Sequence, residues 1–206
     1  MISRATHLLV TSGLLWAAAN PLMAAGPTTL QPVSAFASIA DADARSAALF
    51  VEAAKVITSA RCLNCHPATR DVTQGDDLHR HMPPMNGGRV GAGVPGLQCR
   101  SCHGTANTPT LMGSIESIPG SPGWLLAPAS MAWQGRSLRE ICEQIQDPKR
   151  NGGRTLAKIS EHMAKDRVVA WGFAPGDGRA PAPGTQAQFA ALIDAWIATG
   201  ARCPQS

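Results

Sequence analysis

Apolar residues recur at helical spacing in four stretches of the chain. In the first, Leu49, Ala53, Val56, Ile57 and Ala60 share one face, and Asp41 or Asp43 stands where an N-cap belongs. In the second, Leu138, Ile141, Cys142 and Ile145 follow Ser137, with Glu140 completing a capping box and Asp147-Pro148 ending the run. The third begins at Thr155 and carries Leu156, Ile159 and Met163. The fourth opens on Thr185, with Gln188 as its capping partner. Its stripe is Phe189, Leu192, Ile193, Trp196 and Ile197, and Gly200 stands where a C-terminal glycine cap belongs. No stretch alternates convincingly between apolar and polar, so the pattern predicts an all-α fold.

The start of the chain has a different pattern. Leu8 to Ala19 is an apolar run behind Arg4, broken by Asn20-Pro21 and followed by Ala24-Ala25-Gly26. This predicts a secretory signal peptide over residues 1–25, cleaved after Ala24 or Ala25. The run is short of the roughly 20 residues that a membrane span needs, and no later stretch is long and apolar enough to cross a bilayer. Residues 26–40 are expected to form an extended lead, and residues 41–206 a single domain. From Pro67 to Gly96, and again from Gly104 to Pro128, frequent Pro and Gly mark irregular loop.

Those loops flank two short motifs that carry the chemistry, Cys62-Leu63-Asn64-Cys65-His66 and Cys99-Arg100-Ser101-Cys102-His103. Each reads C-x-x-C-H, the signature of covalent c-type haem attachment. Two thiols three positions apart reach the two vinyl groups of one porphyrin, and the following His binds the iron from below. A four-Cys zinc site or a redox dithiol uses C-x-x-C spacing too, but neither needs a His directly after the second Cys. The sequence therefore predicts two haem c groups, held by Cys62, Cys65, Cys99 and Cys102, with His66 and His103 as proximal ligands. Only 33 positions separate His66 from Cys99, too few for two complete single-haem domains in tandem. The expected architecture is cytochrome c-like helices with long loops wrapped around two closely spaced haems.

Each iron needs a second axial ligand or an open position. The remaining His outside the signal segment are His79, His81 and His162. His81 and His162 are the leading distal candidates, with His79 and Met131 as alternatives and Met82, Met85 and Met112 behind them. His/Met ligation would raise the reduction potential relative to two His. The other two cysteines, Cys142 and Cys203, form the one pair left in an oxidising compartment and are expected to be a disulfide. Closing a loop of roughly 60 residues, it would be worth roughly 4 kcal/mol in the loop-entropy picture.

Charge adds little. Without the signal the chain carries 17 Lys and Arg against 14 Asp and Glu, a net +3 before any propionates are counted. Basic residues are neither numerous nor interleaved with aromatics, so a nucleic-acid partner is not indicated. Lys149, Arg150, Arg154, Lys158, Lys165 and Arg167 cluster in sequence, as a solvated helix face or a docking site for an acidic redox partner.

The segment delivering the chain into Cys62 resembles the N-terminal helix of small class I cytochromes c. A wider set of features carries a second resemblance. It comprises the two haem motifs, His79-x-His81-x-Pro83-Pro84, Trp124-Leu125-Leu126-Ala127-Pro128 and Asn151-Gly152-Gly153, with the Trp171 to Arg179 loop and the terminal Trp196 to Pro204 segment. Together they resemble small exported dihaem proteins labelled isoquinoline 1-oxidoreductase subunits, which belong near molybdenum hydroxylases. The resemblance implies a periplasmic electron carrier that takes electrons from a dehydrogenase or hydroxylase. The competing class is a haem enzyme of peroxidase type, or a haem sensor, with one five-coordinate iron; known dihaem peroxidases are substantially longer.

Overall fold

The computed structural model describes residues 29–110 and 116–205. The segment expected to be a signal peptide, and Met112, lie outside the described residues. Six α-helices are present among them: α1 (Ala42–Ile57), α2 (Ala60–Leu63), α3 (Leu138–Gln146), α4 (Leu156–Lys165), α5 (Arg167–Phe173) and α6 (Gln186–Ala198).

Local chemistry explains where the helices begin and end. Asp41 caps α1 by accepting from Ala44 N–H, and Thr155 caps α4 by accepting from Lys158 N–H. Ser137/Glu140 and Thr185/Gln188 are both complete capping boxes. At the end of α6, Gly200 (φ 102°) takes the left-handed conformation. Its N–H bonds to Ile197 O and that of Ala201 to Trp196 O, the paired bonds of a Schellman cap. The first helix does not run through Ala60 into the first C-x-x-C-H motif. Thr58 turns its hydroxyl back onto Ala54 O, and the chain restarts at Ser59 as the single turn α2.

The all-α expectation is corrected by three antiparallel strand pairs, which give the molecule mixed α/β character. β1 (Thr73–Gln74) pairs with β2 (His79–Arg80), β3 (Gly93–Val94) with β4 (Leu97–Gln98), and β5 (Thr108–Pro109) with β6 (Ser117–Ile118). Two-residue strands are too short to leave an alternating pattern. They form because tight turns bring their ends together: Pro95-Gly96 joins β3 to β4, with Gly96 at φ 83°, the positive φ that the third position of a type II turn requires. The lead is not simply extended either. Val33–Phe36 is a 3-10 helix, Leu30 and Phe36 are buried, and Gln31 N–H donates to Glu52 on α1.

The core is one cluster. Leu49, Phe50, Ala53, Val56 and Ile57 of α1 meet Phe189, Leu192, Ile193 and Trp196 of α6, with Phe50 and Trp196 ring centres 5.1 Å apart. Ile141, Cys142 and Ile145 of α3 and Ile159 and Met163 of α4 complete it. Cys142 and Cys203 are bonded as a disulfide, joining α3 to the C-terminal segment. None of these helices is long and apolar enough to cross a membrane.

Candidate metal centres

Both C-x-x-C-H motifs fold the same way. Cys65 N–H donates to Cys62 O and His66 N–H reaches back to the same carbonyl, at 3.1 and 3.0 Å. Cys102 and His103 repeat this on Cys99 O at 3.2 and 3.0 Å. One helical turn thus puts each cysteine pair at i and i+3, on one face.

The resemblance extends to the imidazoles. His66 Nδ1 bonds to Met131 O at 2.7 Å, and His103 Nδ1 to Pro119 O at 2.7 Å. A carbonyl accepts, so Nδ1 carries the proton and Nε2 keeps its lone pair, the arrangement that prepares a histidine for a metal. Each ring also lies against an indole. Trp133 stacks on His66 at 3.4 Å and 4°, and Trp124 stacks on His103 at 4.9 Å and 12°.

The first centre opens on a cavity of about 410 Å³, within the usual range for a cofactor pocket. Cys62, Cys65 and His66 line one side; Leu126, Ile145, Ile159, Phe173 and Phe189 supply apolar wall. Desolvation pushes the Cys62 thiol up to about 12 and the Cys65 thiol up to about 11, and holds His66 down at about 4. A redox dithiol needs a thiolate within reach of neutral pH, and these thiols are far from it.

His162 lines the same cavity from α4. Its Nδ1 lies 3.1 Å from Asp166 Oδ2, so the carboxylate orients the ring and leaves Nε2 free. Asp166 caps α5 as well, by accepting from Val168 and Val169 N–H, so one side chain fixes both the helix start and the imidazole. Met131 is buried at the cavity wall, but its carbonyl holds His66 Nδ1. Met163, read from the sequence as core, also faces this cavity.

The second centre is more open. Cys102 is exposed and Cys99 half-buried. The His81 and His103 ring centres lie 6.0 Å apart, at 62° between planes. Two metal–nitrogen bonds of about 2 Å plus about 1 Å from each nitrogen to its ring centre give roughly 6 Å, so this separation suits two imidazoles on one metal. His81 Nδ1 donates to Pro83 O at 2.8 Å, again leaving Nε2. His79 differs: Nδ1 is held by Asp77 at 2.5 Å and Nε2 by the Gln74 amide at 3.1 Å, so both its nitrogens are engaged. Met82 is exposed and Met85 half-buried, with Met85 O taken by Val72 N–H.

Other features bear on whether a haem fits. Among the described residues no three His, Cys, Asp or Glu gather into a group able to hold a metal ion by themselves, which weighs against a joint four-Cys site. A porphyrin supplies four nitrogens of its own and asks only for axial side chains. Arg61 Nε and Trp133 Nε1 are buried without an acceptor, and both residues line the first cavity. Porphyrin propionates are acceptors of the kind they lack. The residues present fit the group.

The two carbonyls and Asp166 are what sequence reading missed. Met131 lies far along the chain from the residue it serves, and Pro119 and Asp166 have partners that are nearby but unmarked by any motif. The chain matches no protein-family model, no curated protein and no solved structure.

Proposed function

We propose that this chain is an exported dihaem c-type cytochrome that carries single electrons between redox proteins. The observation that supports it is the repetition at both motifs: the same cysteine turn, a carbonyl on histidine Nδ1, and a tryptophan against the ring. Cys62 and Cys65 would hold the first haem, with His66 and His162 as its iron ligands, and Cys99 and Cys102 the second, with His103 and His81. Bound haem supplies a one-electron iron couple.

The chain's own residues do the rest. Met131 O, Pro119 O, Asp166 and Pro83 O hold four imidazoles in one tautomer, so little moves when the charge on iron changes. Arg61 and Trp133 offer donors to propionate. Apolar wall keeps water from the first centre, which favours the less charged, reduced state and raises its potential relative to the open second centre.

Arg154, Lys158 and Lys165 share a surface recess of about 370 Å³ with His162, Glu161 and Asp166, and Lys158 is paired with Glu161. The donor in this reading is a periplasmic dehydrogenase or hydroxylase, of molybdenum type if the sequence resemblance carries over.

The test is intact mass together with low-temperature EPR of the purified ferric protein. The expected result is a mass two haems above the processed polypeptide and two low-spin signals. A zinc-loaded, haem-free protein would overturn the reading. A high-spin signal that binds cyanide rapidly would turn it toward an enzyme or sensor.

A further inference from the structure

The two centres are joined by aromatic rings. Trp124, which stacks on His103, meets Trp171 edge to face at 4.9 Å and 87°. Trp171 then forms part of the wall around Cys62, Cys65 and His66. We propose that Trp124 and Trp171 are the path by which an electron crosses between the two centres. This rests on the dihaem reading above.

The physical case is contiguity. Electron tunnelling falls off more slowly through packed, polarisable matter than across gaps, and these indoles are in van der Waals contact. A hydrogen-bonded route runs beside them. Trp171 Nε1–H donates to Asn107 Oδ1 at 2.9 Å, and the same oxygen accepts from Gly120 N–H at 3.1 Å. Gly120 follows Pro119, whose carbonyl holds His103. The support of one proximal ligand and the bridging indole therefore share one acceptor.

The surroundings make Trp171 a mediator and not a stopping point. The guanidinium carbons of Arg61 and Arg179 each lie 6.0 Å from its ring centre. Two cations there raise the energy of an indole radical cation. The acceptor on its N–H is an amide, which takes no proton from an oxidised indole. In the transfer one electron leaves a ferrous iron, which becomes ferric, and arrives at a ferric iron, which becomes ferrous. No bond changes, no proton moves, and neither tryptophan is oxidised.

The experiment injects one electron per molecule into the ferric holoprotein by pulse radiolysis and follows redistribution between the haems by Soret absorbance. Redistribution should slow severalfold in Trp171→Leu and less in Trp171→Phe. Both reduction potentials and both ferric EPR signals should stay as in the parent protein. A rate indifferent to the substitutions in a two-haem protein overturns the path alone. Slowing that comes with shifted potentials or altered EPR overturns it too, since the indoles would then be shaping the sites. A parent protein with fewer than two haems overturns the dihaem reading, and the path with it.

Discussion

Histidine Nε2 separates the ligand candidates better than position in the sequence does. His81 and His162 each have Nδ1 occupied and Nε2 available, whereas His79 has both nitrogens engaged. His81→Ala and His162→Ala should each convert one iron to high spin while both covalent attachments survive. His79→Ala should leave both irons low-spin. EPR of the three variants checks this, and a low-spin His162→Ala would make His162 a wall residue. A second residue-scale effect lies at Asp177. Hydrogen bonds from Ser117 and Asn107, then the Arg179 charge, hold its carboxyl below the ordinary value. A depressed folded pKa means that the contribution is present above the unfolded value, near ~3.9, and is lost as pH falls through the lower folded one. Protection of the Trp171 indole N–H, measured by NMR hydrogen exchange, should persist to below about pH 4 and then fall. In Asp177→Asn that acid dependence should disappear. The two C-x-x-C-H motifs were legible in the sequence because each is contiguous, and both fold into the same turn. The groups that aim them were not, because Met131 O reaches His66 across 65 positions.

At the scale of elements, what was legible was what local chemistry decides. Ser137, Thr155 and Thr185 cap their helices because an N-cap needs only the next three residues. The strand pairs were hidden because two residues carry no period, and α5 because its start is a side chain already ending α4. The Cys142–Cys203 disulfide is an element-scale staple: it spans 61 positions and ties α3 to the segment after α6. Gln146 Nε2 bonds to Ala201 O at 2.8 Å beside it. Titration under denaturing, non-reducing conditions should find no free thiol in the haem-loaded protein, and two alkylatable cysteines would refute the bond. Cys142→Ala/Cys203→Ala should lower stability by about 2–4 kcal/mol, read from urea unfolding, with EPR unchanged.

The two centres belong to different parts of the whole molecule. The first lies among α2–α6, with Ile57 of α1, and its wall is the hydrophobic core itself. The second lies among short strand pairs and turns, where Gly91 passes so close to Leu126 that a Cβ would meet its carbonyl oxygen at 2.4 Å. The cavity of about 410 Å³ at the first centre is walled by Ile57, Ile145, Ile159, Met163 and Phe189, which are core residues, so filling it and packing the core are one event. The helical part should therefore fold with its cofactor rather than before it. Cys62→Ala/Cys65→Ala should abolish cooperative thermal unfolding and near-UV dichroism. Cys99→Ala/Cys102→Ala should retain a cooperative transition, because it empties only the loop-built half. If the second variant collapses like the first, the strand-and-turn half supports the helices, and the two centres form one cooperative unit.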